Sequence, residues 1–135
     1  MASLAKVHYG LSAVSHNSHS LTEVESCAVA AGGTSVDHSA DADTWIDFIG
    51  GVEAKITWNI TSADLKGAQF IPMHDDGALV FTVAAKAAGS AVVVTVVNSV
   101  VLGIDYTINS KGVSVVVISG ESYSVSGSAT PISYT

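Results

Sequence analysis

Residues 52–61 read Val52-Glu53-Ala54-Lys55-Ile56-Thr57-Trp58-Asn59-Ile60-Thr61, with an apolar side chain at every even position and a polar one at every odd position. A period of two residues is typical of a β-strand with one dry face and one wet face, and no helix has this period. The dry face is predicted to place these side chains in the core: Val52, Ala54, Ile56, Trp58 and Ile60. The wet face carries Glu53, Lys55, Thr57, Asn59 and Thr61. We expect that wet face to meet water, a neighbouring subunit or the wall of a channel.

The composition favours a domain whose surface is partly covered by partners. The chain has 135 residues, which fits one domain with a core that needs no metal or disulfide. Hydrophobic residues make up 48% and charged residues only 13%, and the mean hydropathy is +0.46. A monomer in solution normally carries more surface charge than this. We therefore expect partners to cover much of this surface, and a β protein that simply has few charges is the alternative.

The charge balance argues against nucleic-acid binding. Twelve acidic residues and five basic ones give a net charge of −7, and all the basic residues are lysines. Neutralising phosphates and reading bases both depend on Arg and Lys. An acidic surface without arginine is expected to repel DNA rather than hold it.

Neither a disulfide, a leader nor a membrane span is expected. Cys27 is the only cysteine, so an intrachain disulfide and a cysteine-based zinc site are excluded. Residues 1–6 lack the basic start and apolar core of a secretory signal. No uncharged apolar run reaches the roughly 18 to 20 residues of a membrane helix, and residues 87–104 are interrupted by glycine, serine and asparagine. We expect synthesis in a reducing cytoplasm.

Short strands separated by turn residues predict an all-β fold, an antiparallel β-sandwich or partly closed barrel. The predicted strands cover residues 23–31, 45–49, 52–61, 78–86, 92–97, 101–108, 113–119 and 122–126. Glycine pairs at 32–33 and 50–51, Asn98-Ser99 and Gly120-Glu121 are predicted to separate them. One short helix is predicted over residues 62–67, with Thr61 or Ser62 as the N-cap and Gly67 as the stop.

Three segments lie outside these strands in the predicted single domain of residues 1–135. Residues 1–21 are predicted to be an N-terminal arm. Residues 34–43 are polar and acidic, and are predicted to form a long loop or hairpin tip, a kind of segment that is often functional. Residues 127–135 are predicted to be a loose C-terminal tail or an edge strand, because Pro131 does not fit a central strand.

The histidines and aspartates do not form a recognisable catalytic or metal motif. Five histidines match neither a metal-binding helix nor a catalytic triad in spacing, and surface loop histidines explain them. His16 and His19 with Asp37, Asp41 or Asp43 are the alternative, a metal site. Carboxylates recur every few residues over positions 37–47, as they do in calcium loops, but the glycine of the sharp turn and the closing glutamate of such a loop are missing. We predict no metal, no cofactor and no catalytic residue, and hence no enzyme.

Cys27 and the two tryptophans have structural explanations. Cys27 lacks a nearby base, so a buried or half-buried structural thiol is expected. Trp45 and Trp58 could form a platform for a sugar, but Trp58 belongs to the apolar face of its strand.

Several of these features together resemble the small tail-tube (major tail) proteins of long-tailed bacteriophages. They are the strand at residues 21–31, the aspartate-rich segment 37–43, the Gly50-Gly51 turn into residues 52–58, the helix at 62–67, and the Gly- and Ser-rich segment Ser119-Gly120-Glu121-Ser122-Tyr123-Ser124-Val125-Ser126-Gly127. The resemblance spans most of the chain.

This resemblance implies a structural virion protein that is assembled in the host cytoplasm. Six-membered rings would stack into a hollow tube that conducts DNA without binding it specifically, with other virion proteins at the tube ends. Sheets of neighbouring subunits would join into one inner barrel. The resemblance places the inter-subunit loop at residues that include Thr34, Asp37, His38, Asp41 and Asp43. The channel- or partner-facing strand would carry Glu53, Lys55, Thr57 and Asn59.

Two other functions remain open at this point. A capsid decoration (cement) protein would also be a small β domain without catalysis, and it would form dimers or trimers. A carbohydrate-binding module would be a monomer with an exposed Trp45.

Overall fold

The chain folds into eight strands and one short helix, in a computed structural model that describes residues 8–38, 45, 48–85, 91–127 and 130–135. The strands are β1 (His8–His16), β2 (His19–Leu21), β3 (Val24–His38), β4 (Phe48–Ser62), β5 (Asp76–Ala85), β6 (Val92–Thr107), β7 (Val115–Ser122) and β8 (Ile132–Tyr134), and the helix α1 is Leu65–Ala68. The predicted all-β fold with one short helix is confirmed.

All the strands belong to one antiparallel sheet with the order β2-β1-β5-β6-β7-β4-β3. The strand β8 pairs with β6 outside this path. The sheet does not close, since β2 and β3 end it on opposite sides. The open sheet curls over one core. This architecture is consistent with the predicted β-sandwich or partly closed barrel.

The long strand β6 carries the chain from one half of the sheet to the other. Its first part pairs with β5, up to Asp76↔Val100, and its second part pairs with β7 from Ser99 onward. Asn98 has a φ of 53°, a left-handed conformation that asparagine tolerates better than most residues. The predicted turn at Asn98-Ser99 is therefore wrong: Asn98 bends the strand, and the ladders on both sides continue through Ser99.

The core lies between the two halves of the curled sheet. His16 of β1 stacks on Trp58 of β4 with a ring-centroid distance of 5.4 Å, although three strands separate β1 from β4 in the sheet. The buried apolar residues come from every strand except β3 and β8, and from the α1 region: Val14, Leu21, Ile56, Trp58, Ile60, Ala68, Ile71, Leu79, Phe81, Val94, Val96, Val101, Val116 and Ile118.

The predicted N-terminal arm is wrong from residue 8 onward. The strands β1 and β2 occupy most of this segment, and Val14, His16 and Leu21 are buried. Two irregularities in the β1–β5 register, at residues 8–11 and 11–13, break the two-residue alternation. A strand with such bulges and a buried histidine does not show the apolar pattern of an ordinary strand.

The glycine pairs at 32–33 and 50–51 lie inside strands and do not form the predicted turns. Gly32 pairs with Lys55, Gly33 with Ala54, and Gly50 with Val36. Backbone pairing between the two strands of this long hairpin keeps these glycines extended. The pairing outweighs the weak preference of glycine for strands. The first half of the predicted loop 34–43 is consequently strand, up to His38.

Gly120 also lies inside a strand, so the predicted break at Gly120-Glu121 is wrong. The strand β7 runs from Val115 to Ser122 without interruption and ends before most of the predicted strand 122–126. A Cβ atom at Gly120 would lie 2.0 Å from the carbonyl oxygen of Val100 and 2.6 Å from the Trp58 ring. The glycine is required for close packing and not for a turn.

The helix α1 is capped by Asp64, and neither Thr61 nor Ser62 is its N-cap. The Asp64 carboxylate accepts a hydrogen bond from the Gly67 amide at 2.9 Å, and Gly67 lies within the helix. Ser62 instead ends β4, where its hydroxyl donates to the Thr22 carbonyl at 2.8 Å. Within the described part of the chain, no helix has the length and apolar character that a membrane crossing requires.

Residues 130–135 include an edge strand, which was one of the two predictions for the C-terminal segment. The strand β8 pairs only with β6. The carbonyl of Pro131 accepts from the Val97 amide at 2.8 Å, which is a role that proline retains although it has no amide hydrogen.

Candidate assembly surface

The hairpin of β3 and β4 projects beyond the rest of the sheet. The two strands pair from Val24↔Ser62 to His38↔Phe48, whereas β7 covers β4 only from Ile56 to Ser62. Residues 32–38 and 48–55 therefore form a two-stranded ribbon, which we call the projecting ribbon. It contains residues that the sequence assigned to an inter-subunit loop.

Thr34, Asp37 and His38 lie on β3 within the projecting ribbon, where they pair with Glu53, Ile49 and Phe48. Glu53, the first of the predicted channel- or partner-facing residues, is thus opposite Thr34. Asp41 and Asp43 lie outside the described residues.

The sequence from Thr34 to Glu53, which includes most of the projecting ribbon, carries much of the negative charge. Residues 34–53 contain five of the twelve acidic residues and no lysine. Their acidic residues are Asp37, Asp41, Asp43, Asp47 and Glu53. At low ionic strength such a segment repels other acidic surfaces over roughly 10 Å or more.

The outer side of β3 is a long free edge. Within the described residues, β3 pairs only with β4. From Ser26 to Val36 it has eleven residues in a row without a charge or a proline. Natural edge strands are usually short, charged, kinked by proline or covered, because a bare edge pairs with other chains. Among the described residues no other strand pairs with this edge, and its one irregularity is the register shift between Thr34 and Ser35.

The outer face of β4 and β7 is polar and nearly neutral. Lys55, Thr57 and Asn59 are exposed on β4, and their neighbours on β7 are Glu121 and Ser119. The Lys55 ammonium lies 2.9 Å from a carboxylate oxygen of Glu121, with the two side chains 63% and 42% exposed. The opposite face of β4 places Ile56, Trp58 and Ile60 in the core.

His16 is buried in the core and is not a surface loop histidine as predicted. Its Nε2 lies 2.8 Å from the Ser99 carbonyl, and its Nδ1 lies 3.3 Å from the Asp75 carboxylate. His19 approaches the same carboxylate at 3.5 Å through its Nδ1. The spacing of histidines in the sequence gave no signal for this, because Asp75 is far away along the chain.

The remaining histidines are spread over the fold. His8 lies on β1, His38 on β3, and His74 is exposed with a φ of 64°. Asp37, which the metal hypothesis combined with His16 and His19, lies on the projecting ribbon. Among the described residues, no three side chains of the metal-binding types are arranged to hold an ion.

Cys27 is half-buried on β3, and burial raises the pKa of its thiol to about 12. A thiol with so little thiolate at neutral pH is a poor nucleophile, which fits the predicted structural role. The two tryptophans differ sharply: Trp58 is 2% exposed and Trp45 is 83% exposed.

Tyr123 joins the end of β7 to the start of β5, a contact that the sequence did not predict. Its hydroxyl donates to the Asp76 carboxylate at 2.6 Å. This hydrogen bond to the carboxylate raises the pKa of the tyrosine. The two residues are 47 positions apart, and no local pattern marks such a pair.

Sequence comparison places the chain in no known family. No protein-family model matches it, and no curated protein matches it.

Two solved structures have a similar fold. One is a chain in the tail of an empty gene transfer agent particle refined with C6 symmetry, with a TM-score of 0.54 and 16% identity over 86% of this chain and 84% of that chain. The other is a chain in the virion of a native gene transfer agent particle, with a TM-score of 0.51 and 15% identity over 86% of this chain and 87% of that chain.

The predicted resemblance to viral tail proteins is confirmed at the level of the fold. At identities of 15% and 16% the likeness concerns the fold alone. The chain shares its fold with these two chains of gene transfer agent particles.

Proposed function

We propose that this protein is a structural, non-catalytic subunit of a virion tail, which forms stacked six-membered rings around a channel for DNA. The observation that carries the proposal is the free β3 edge, with its eleven uncharged residues from Ser26 to Val36. Copies of the chain that pair along this edge satisfy backbone groups that otherwise promote aggregation.

The sheet has a second open edge to which β3 of a neighbour can pair. Within the described residues, β2 covers β1 only from Val14 to His16, which leaves residues 8–13 of β1 uncovered on that side. Pairing of β3 with β1 of the next copy joins two different surfaces. Such head-to-tail contacts generate closed rings when the rotation between copies closes. The gene transfer agent tail, with its C6 symmetry, is a precedent for six copies.

The projecting ribbon is the proposed contact between successive rings. Thr34, Asp37 and His38 lie on it, and Asp41 and Asp43 follow them in the sequence. Among the described residues β7 pairs with β4 only from Ile56 to Ser62, so β7 leaves the ribbon backbone open for pairing with another subunit.

The polar strand face is the proposed channel lining or partner surface, with Glu53, Lys55, Thr57 and Asn59. Short polar side chains and a lysine already paired with Glu121 offer a DNA backbone little to hold. The net charge of −7 without arginine acts in the same direction. DNA would then pass without specific binding. In this proposal the protein is made in the host cytoplasm, resides in the virion and meets other virion proteins at the tube ends.

A pair of proline variants tests the edge. Amides of neighbouring strand residues point to opposite sides, so of Ala30→Pro and Ala31→Pro one removes an amide aimed at β4 and the other an amide aimed at the free edge. We expect the variant that removes the amide aimed at the free edge to keep the melting temperature of the wild type. The same variant is expected to lose ring and tube formation in electron microscopy. Normal tubes from both variants would contradict the proposal.

Electron microscopy of the wild type separates the alternatives. Six-fold rings or open tubes support the tail role, and compact dimers or trimers support the capsid decoration role. The exposed Trp45 favours carbohydrate binding as a second candidate, because an exposed aromatic ring can stack on a sugar. A monomer in light scattering with hits on a glycan array would support that function.

A further inference from the structure

The turn between β6 and β7 holds two apolar side chains out in solvent at one end of the sheet. Ile108 is 69% exposed and Val113 is 65% exposed. The turn between them is fixed, because the Asn109 side chain donates to the Val113 carbonyl at 2.8 Å and the Asn109 backbone amide donates to the Ser114 hydroxyl at 2.9 Å. A fixed turn loses little conformational freedom when a partner covers it. We call residues 108–113 the β6–β7 tip.

A small groove lies at the base of the projecting ribbon, where β7 ends beside β4. Its volume is about 270 Å³, and its wall is mostly apolar, with Ala54, Ile56 and Ile132 among the lining residues. The β4–β7 pairing begins at Ile56, and Ala54 before it is exposed. Sites for small molecules usually measure roughly 300 to 1,000 Å³. This groove therefore suits the side chains of a protein partner better than a free ligand.

The β6–β7 tip and the groove lie at opposite ends of the sheet. Ser122 pairs with Ile56 beside the groove, whereas Val116 pairs with Ser62 at the other end of β4, and the tip lies beyond that second pair. Along β4 the two pairs are about 20 Å apart, at a rise of roughly 3.3 Å per residue. The tip therefore cannot fill the groove of its own chain. The tip of a second copy, placed end to end with the first, can reach it.

The charges around the two surfaces have opposite signs. Lys111 is exposed at the centre of the tip and is the only charged residue between positions 106 and 115. Residues 34–53, which include most of the projecting ribbon, contain five acidic residues and no lysine. A tip seated at the base of the ribbon brings its lysine towards this acidic segment. Such complementarity favours this orientation of two copies over a tip-to-tip contact, where lysines would face each other.

We propose that the β6–β7 tip of one copy docks in the groove at the base of the projecting ribbon of a second copy. Assigning the two copies to successive rings rests on the proposed function, whereas the contact itself does not require rings. The contact joins two different surfaces, and such a contact repeats from copy to copy when it does not close on itself. It gives the projecting ribbon a defined receiving surface in the next subunit of a stack.

Cysteine cross-linking tests the contact directly. Val113→Cys and Ala54→Cys chains are purified separately, mixed and oxidised with diamide. We expect a disulfide-linked dimer of the two variants, because the tip of one copy reaches the groove of the other. Leu102→Cys, at a 48% exposed position in the middle of β6, takes the place of Val113→Cys in the control mixture. Equal yields from the two mixtures, or no product above that of the wild type with its single Cys27, would overturn the inference.

Ile108→Asp tests the contribution of the tip to stacking. A carboxylate cannot enter an apolar groove without a large desolvation cost. We expect this variant to keep the wild-type melting temperature and single rings, and to need about tenfold more protein or still more to form tubes in electron microscopy. Leu102→Asp introduces the same charge away from the tip and is expected to form tubes as the wild type does. Tubes of Ile108→Asp at wild-type concentrations would overturn the inference.

The outcomes separate this inference from the proposed function. A cross-link between tip and groove in a protein that forms no six-fold rings would support the inference and overturn the proposed function. Six-fold tubes without that cross-link would support the proposed function and overturn the inference.

Discussion

The two ends of the β3–β4 hairpin have the same strand pairing but different neighbours. Near Trp58 the strand β7 covers β4 and the apolar face is buried, whereas in the projecting ribbon β3 is the one described strand that pairs with β4. Strand pairing alone therefore does not decide what a segment does. Where β7 pairs with β4, the apolar face of β4 is part of the core. Where β7 does not reach, the hairpin is available for the assembly that we propose.

The largest expected effect contrasts the two tryptophans. Trp58→Ala is expected to cost about 3 to 5 kcal/mol of unfolding free energy, since a large buried ring is replaced by a cavity. Trp45→Ala, at an 83% exposed position, is expected to change it by less than about 0.5 kcal/mol. Urea unfolding of both variants measures the contrast, and similar costs would contradict it.

Glycine substitutions give the next largest contrast. Gly120→Ala is expected to cost about 1 to 3 kcal/mol, because the new methyl group meets the Val100 carbonyl and the Trp58 ring. At Gly32 a Cβ atom has no neighbour within 4 Å, so Gly32→Ala is expected to be neutral or to stabilise by up to about 1 kcal/mol. Thermal unfolding of both variants measures the contrast, and an equal loss of stability in the two would contradict it.

The Asp64 cap holds the inner end of the hairpin to the rest of the fold. Asp64→Ala is expected to cost about 1 kcal/mol at pH 7. Hydrogen bonds from the Gly67 and Thr22 amides lower the pKa of this carboxyl. A lowered pKa contributes stability above the unfolded value of about 3.9, and this contribution is lost as pH falls through the folded value.

Asp64→Asn is the matched variant, because an amide oxygen can cap the helix without a charge. The stability gap between the wild type and Asp64→Asn is expected to shrink below about pH 4 in acid unfolding. A gap that stays constant down to pH 2 would show that the charge contributes nothing.

The smallest effect is expected for the Lys55–Glu121 ion pair, at the start of the projecting ribbon. The Lys55–Glu121 pair is largely exposed, so a double-mutant cycle with alanine at both positions is expected to give a coupling of about 0.2 to 1 kcal/mol. High salt should reduce this coupling. A coupling well above this range, or one insensitive to salt, would show that the pair is more shielded than its exposure indicates.

The sequence predicted the strand around Trp58 because one of its faces is dry and the other wet. The alternation at Ile56, Trp58 and Ile60 arises because these side chains are buried. The same pattern is expected in any fold that buries one face of the strand. The fold class followed from the repetition of such strands.

The predictions for several glycines and for His16 were wrong for a physical reason. Gly50, Gly120 and their neighbours weaken a strand locally, but ladder partners and the Trp58 ring that are distant in sequence hold them in place. His16 is buried because its Nε2 meets the Ser99 carbonyl and its ring stacks on Trp58, and neither residue is near it in the chain. The free β3 edge is likewise a property of strand order, which local patterns do not contain.

The bend of β6 at Asn98 has a consequence for how the protein denatures. Because one continuous strand supplies ladder partners to β5 on one side of the bend and to β7 on the other, neither half of the sheet can detach without breaking its own pairing to β6. The chain should therefore melt in a single cooperative transition, and amides on β5 and β7 should exchange with solvent at the same global rate.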